Sequence, residues 1–126
     1  MTRRRVLVVD DEADIREVAQ MGLELAAGWE VITASSGEDA VAMAVEAKPD
    51  AILLDVMMPG VDGPEALRRL RANVDTHAIP VVFLTAKVHA ADRDWLGQFD
   101  AQGQLAKPFD PITLADEMSR LVGWGT

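Results

Sequence analysis

Residues 6–16 read VLVVDDEADIR. An unbroken apolar run stops abruptly on Asp10 and Asp11, and a helix-like segment follows. Such a run has the length and composition of a buried strand. It is too short, and too soon interrupted by acids, to be the core of a signal peptide. Downstream, Ile15, Val18, Gly22 and Leu25 recur at helical spacing and predict one inward face of a first helix. Upstream, Arg3, Arg4 and Arg5 form the only basic run of the chain and read as a solvated lead into the strand.

The same unit recurs outward from this stretch. Apolar runs at residues 5–9, 29–34, 51–54, 80–84 and 101–106 alternate with longer helix-like segments. The runs at 5–9, 51–54 and 80–84 are nearly continuous, as central strands are. The run at 29–34 is mixed like an edge, and the one at 101–106 is weakened by two glutamines. Helix starts are signalled by Ser35 with Glu38 at capping-box spacing, by Pro64 after Gly63, and by Asp110-Pro111 ahead of Leu114, Met118, Leu121 and Val122. The helix over 88–98 is the poorest, resting on Leu96 and Trp95. Strict alternation predicts an α/β fold, an open doubly wound parallel sheet covered on both faces.

In that fold ligands bind at the carboxyl ends of the strands. Asp10 and Asp11 follow the first strand, Asp55 the third, Thr85 the fourth and Lys107 the fifth, so all five fall at one sheet edge. Singly each has a structural reading: a solvated cap, a hydroxyl satisfying a backbone group, a surface charge. Together they form a cleft. Three carboxylates in one cleft repel each other unless a cation intervenes, and oxygen-only donors select a hard ion such as Mg²⁺. Asp11 and Asp55 are the expected direct ligands, Asp10 acts through a metal-bound water, and a backbone carbonyl after Asp55 completes the protein set. An aspartate can attack phosphorus. Lys107 and Thr85 would then engage the transferred group's oxygens.

The pieces VLVVDDEADIR (6–16), LLDVMMPGVDGPE (53–65), PVVFLTA (80–86) and LAKPF (105–109) resemble the receiver domain of bacterial response regulators over essentially the whole chain. The resemblance implies a flavodoxin-like sheet of strand order 2-1-3-4-5 and a single receiver domain over residues 1–126. It implies a phosphoacceptor at Asp55, and Mg²⁺ (Mn²⁺ as substitute) held by Asp10, Asp11, Asp55 and the Met57 carbonyl. It also implies phosphoryl contacts from Thr85 and Lys107 and a cis Lys107–Pro108 bond. Its implied partners are a sensor histidine kinase or histidine phosphotransfer protein, and a downstream protein on the face of the fourth helix, fifth strand and fifth helix. The expected state is a monomer or a phosphorylation-dependent dimer. Met57 and Lys87 flank the site and are expected to tune dephosphorylation. One position departs: Gln104 stands where the family usually has an aromatic ring three residues before the lysine. A polar amide suits an apolar slot poorly, so Gln104 is expected at the surface.

Composition narrows the remaining readings. The chain has 126 residues, enough for one core, and carries 12 basic against 21 acidic residues, a net charge of −9. That charge repels nucleic-acid phosphates. There is no cysteine, hence no disulfide or thiolate site, and no apolar run long enough to span a membrane, so a cytoplasmic protein is expected. The chain stops after the fifth helix, which predicts either a stand-alone receiver or an excised piece. A phosphohydrolase would need an acid near Asp55 where Met57 stands, and a nucleotide binder would need a glycine-rich loop after the first strand. A receiver-like scaffold that works without phosphate is the main alternative, although it would be expected to have lost an acid or the lysine. His77 and His89 read as surface residues, Trp95 as a packing residue or exposed anchor, and Trp124 as a packing residue or tail.

Overall fold

The computed structural model describes residues 3–86 and 90–125, so Lys87 and His89 lie outside the described residues. Within them the order is β1 (Arg5–Val9), α1 (Ala13–Ala27), β2 (Glu30–Ala34), α2 (Gly37–Ala47), β3 (Ala51–Asp55), α3 (Gly63–Ala72), β4 (Val81–Thr85), α4 (Ala90–Leu96), β5 (Gly103–Ala106) and α5 (Leu114–Val122). The strands form one parallel sheet in the order β2-β1-β3-β4-β5.

Alternation along the central strands divides the core into two layers. Leu7, Val9, Ile52, Leu54, Val81 and Phe83 face α2 and α3 with Leu67 and Leu70. Val6, Val8, Leu53, Val82 and Leu84 face α1 and α5 with Leu23, Leu114 and Met118. Both faces are covered, which is why β1, β3 and β4 are apolar at nearly every position.

Four sequence expectations are corrected. The inward stripe of α1 is Ile15, Ala19, Gly22 and Leu23, while Val18 and Leu25 are exposed along with Met21. The helix is rotated because the Pro111 backbone packs directly on Gly22, where a Cβ could not fit. Ser36, not Ser35, caps α2, accepting from the Asp39 N–H at 3.1 Å. Asp110 caps a turn and not α5 itself. Its side chain accepts from Ile112 N–H at 2.9 Å, and the helix proper starts at Leu114. Finally, the arginines are not simply solvated. Arg3 donates to the Gly28 and Trp29 carbonyls, Arg4 stacks 4.0 Å from the Trp124 ring, and Arg5 pairs with Glu30 at 3.1 Å. Trp124 in turn meets Trp29 edge to face at 5.2 Å, the packing role rather than a loose tail.

Candidate functional site

β1, β3 and β4 stop at the same edge, and their last apolar residues are followed by polar ones. Asp10 is fully buried, Asp55 ends β3 and is buried, and Thr85 ends β4 and is buried. Asp10 is held at four points. Its N–H donates to the Ala34 carbonyl at 3.2 Å, its Oδ1 accepts from the Glu12 N–H at 2.9 Å, its carbonyl accepts from Arg16 Nη1 at 2.8 Å, and its Oδ2 lies 2.8 Å from Lys107 Nζ. Asp11 is exposed at the rim. Gly63 lets α3 start directly behind the third strand, since a Cβ there would stand 2.6 Å from the Asp55 carbonyl oxygen.

Lys107 reaches the same point from the far side of the cleft. Its Nζ stands 3.2 Å from Asp55 Oδ1 and 4.0 Å from Glu12 Oε2, in addition to its contact with Asp10. The lysine's own N–H donates to the Thr85 carbonyl at 2.8 Å, which ties it to the end of β4, and the Lys107–Pro108 bond that follows is cis. The Met57 N–H makes a long contact of 3.4 Å to Asp55 Oδ1, while the Met57 side chain is exposed over the mouth.

The electrostatics follow from this crowding. Burial, reinforced by the Asp10 charge, pushes the Asp55 carboxyl up to about 6, against the opposing pull of Lys107 and the Met57 N–H. Burial alone would lower the Lys107 pKa, yet its hydrogen bond to Asp10 and the two carboxylate charges outweigh that and raise it. Asp10, Asp11 and Asp55 each offer an oxygen, and these lie within 4.8 Å of one another. An all-oxygen donor set of this size, with one carboxyl raised by burial and by the neighbouring Asp10 charge, fits a hard divalent ion.

The candidates named from sequence are thus brought together: Asp10, Asp11, Asp55 and Lys107 directly, Thr85 at the neighbouring strand end, and Met57 one loop residue away. Glu12 and Arg16 were missed. Both lie inside the quoted motif, but nothing in spacing alone shows that they contact Lys107 and the Asp10 carbonyl. Gln104 corrects an expectation. It is half-buried, and its Nε2 donates to the Arg93 carbonyl of α4 at 2.9 Å. Its Oε1 is covered, with no partner among the described residues. His77 is exposed, as read. Trp95 is 46 % exposed and packs edge to face on Phe99 at 5.1 Å.

The family profile described as Response regulator receiver domain matches residues 6–119, nearly the whole sheet and all of the cleft. The chain belongs to that family. It is 38 % identical over 122 residues to the phosphate regulon transcriptional regulatory protein PhoB of Pseudomonas aeruginosa, covering 97 % of this receiver and 53 % of that protein. With the Protein PilH of the same organism it shares 39 % over 110 residues, covering 87 % of this receiver and 90 % of PilH. It spans about half the length of PhoB and of several other curated regulators it matches. Among solved structures, the chemotaxis response regulator CheY4 of Vibrio cholerae superposes with a TM-score of 0.87 at 35 % identity, covering 95 % of this chain and 99 % of that one. The receiver domain of sensor histidine kinase PA1611 of Pseudomonas aeruginosa, solved with a magnesium ion coordinated in its active-site cleft, gives 0.85 at 31 % identity, covering 97 % and 99 %. The flavodoxin-like order 2-1-3-4-5 is shared with the chemotaxis structure.

Proposed function

We propose that this chain forms a single receiver domain over residues 1–126. It takes a phosphoryl group onto Asp55 from a histidine kinase or histidine phosphotransfer protein in a Mg²⁺-dependent reaction, and relays the signal by a shift in conformation. The observation that carries this reading is one buried carboxylate at the end of the central strand, Asp55, flanked by two further acids and faced by Lys107 at 3.2 Å.

In the proposed step an Asp55 carboxylate oxygen attacks the donor's phosphorus in line. The O–P bond forms as the donor's bond to phosphorus breaks, and the donor leaves with that electron pair. The carboxylate is the nucleophile in its ionised form, so no general base is required. A bound Mg²⁺ would supply charge neutralisation at the phosphoryl oxygens. Lys107 contributes a second positive charge and Thr85 a hydroxyl donor. Asp11 and Asp55 are the proposed direct ligands, with the Met57 carbonyl, and Asp10 is one water further out. That ranking is supported by the engagement of both Asp10 oxygens, by the Glu12 N–H and by Lys107, while Asp11 faces solvent. Mn²⁺ should substitute. The magnesium in the PA1611 receiver supports the choice of ion.

The output surface proposed is α4–β5–α5, read by another protein, with the receiver acting as a monomer or as a dimer formed on phosphorylation. The net charge of −9 argues against nucleic acid as the direct partner. No helix among the described residues is long and apolar enough to cross a membrane, which fits the proposal of a cytoplasmic protein. The test is intact mass after incubation with a small acyl phosphate. Wild type with Mg²⁺ should gain one phosphoryl group, and wild type in chelator or Asp55→Asn should gain none. A wild type that stays unlabelled with Mg²⁺ would favour the phosphate-independent scaffold.

A further inference from the structure

Arg16 has no place in the chemistry above, yet it makes one of the shortest contacts around the cleft. It projects from the first turn and a half of α1, and its Nη1 donates to the Asp10 carbonyl oxygen at 2.8 Å. That oxygen belongs to the peptide group joining Asp10 to Asp11. Because a peptide group is planar, holding its oxygen holds the orientation of the Asp11 N–H as well. The next peptide group is held too, since the Glu12 N–H donates to Asp10 Oδ1 at 2.9 Å. Asp11 therefore sits between two pinned planes. Its own carboxylate is exposed and has no hydrogen bond or ion pair among the described residues. Among the described residues, only the backbone directs it toward Asp10 and Asp55, within the 4.8 Å the three carboxylates share.

We infer that Arg16 is a positioning residue for the divalent ion: it sets the affinity of the acidic cleft by fixing the direction of Asp11. The inference rests on the reading of the cleft as a Mg²⁺ site. Arg16 touches neither the carboxylates nor the place of the phosphoryl group; it acts through the peptide. The direction of the effect separates this role from a simple charge effect. A cation near the cleft repels a divalent ion, so removing its charge alone tightens binding. Losing the clamp loosens it.

Two measurements on the whole chain test the idea. In calorimetric titration with Mg²⁺ alone, Arg16→Met should bind on the order of tenfold more weakly, as is typical when a group behind a metal ligand is lost. Arg16→Lys, whose ammonium can still donate to the Asp10 carbonyl but on a shorter, more flexible arm, should fall between the two. In chelator, the Glu12 amide of Arg16→Met, which donates to Asp10 Oδ1 across the held turn, should exchange faster with solvent while those of β3 do not change. Unchanged or tighter Mg²⁺ binding by folded Arg16→Met overturns the inference, and so does an unchanged Glu12 amide. Asp11→Ala separates this failure from failure of the site. If wild type binds, Asp11→Ala does not and Arg16→Met matches wild type, the Mg²⁺ reading stands and the role of Arg16 falls. If wild type binds no Mg²⁺, the site reading fails, and the amide measurement still decides whether Arg16 fixes the turn.

Discussion

On one side of the cleft the acids stand on β1 and β3, strands with neighbours on both edges and layers of helix on both faces. Every residue of the third strand is buried, and Asp10 has its N–H, carbonyl and both carboxylate oxygens engaged. On the other side Lys107 and Gln104 belong to the β5 side, the edge of the sheet. No residue of that strand is fully buried. Its neighbour α4 is seven residues long and rests on Leu96, on the Trp95–Phe99–Phe83 ring contacts and on the Gln104 amide. The difference assigns distinct mechanical roles. The floor holds charge in place at a cost, and the flank brings the compensating cation on elements that open more readily. On the proposed function, a signal arising at Asp55 would have a stiff origin and a soft exit.

Cutting the tie between the two sides should have the largest effect. Lys107→Met leaves the buried Asp10 without its cation, which should cost about 3–5 kcal/mol near neutral pH in chelator. Added Mg²⁺ should recover much of it, because in the proposed site the acids and not the lysine hold the ion. Urea unfolding with and without Mg²⁺ checks this. A variant as stable as wild type would mean that the flank contributes no compensation. The same variant should lose its response to phosphorylation while keeping Mg²⁺ binding.

Relieving the floor should have the next effect, and of opposite sign. The folded Asp55 carboxyl titrates at about 6, above its unfolded value, so the native state holds this proton more tightly. Stability from that source is fully present below the unfolded value near 4 and is lost as pH rises through about 6. Asp55→Asn should therefore be more stable than wild type by up to about 3 kcal/mol near pH 8 in chelator, with the gain vanishing near pH 4. An equal gain at both pH values would assign the effect to something other than charge.

The smallest effect probes the flank alone. Gln104→Glu keeps the shape and removes the donor to the Arg93 carbonyl, a loss of about 1 kcal/mol. Amides of residues 91–99 should exchange a few times faster while those of β1 and β3 are unaffected. A uniform change across the sheet would erase the contrast between the two sides.

The floor was legible in the sequence, and the flank largely was not, for the same physical reason. Buried parallel strands must be apolar at successive positions, so β1, β3 and β4 stand out, and the acids directly after them are easy to place. The fifth strand begins at Gly103, later than expected, because Ala101 is spent in a turn in which its N–H donates to the Phe99 carbonyl. The α1 face was misjudged because Ala19 and Gly22 carry little hydropathy, although close approach of Pro111 demands small residues there. Arg3, Arg16 and Gln104 all donate to backbone carbonyls, which every residue possesses, so no pattern of side chains announces those partners.

The central claim is that Asp55, the acid that ends the fully buried third strand of the stiff side, is where phosphate lands. Borohydride reduction of the acyl-phosphate-treated protein, followed by peptide mapping, reads the position directly, since an aspartyl phosphate is reduced to homoserine. The account predicts homoserine at position 55 alone, dependent on Mg²⁺ during labelling. Homoserine at position 10 or 11 instead, or label that survives in Asp55→Asn, would contradict it.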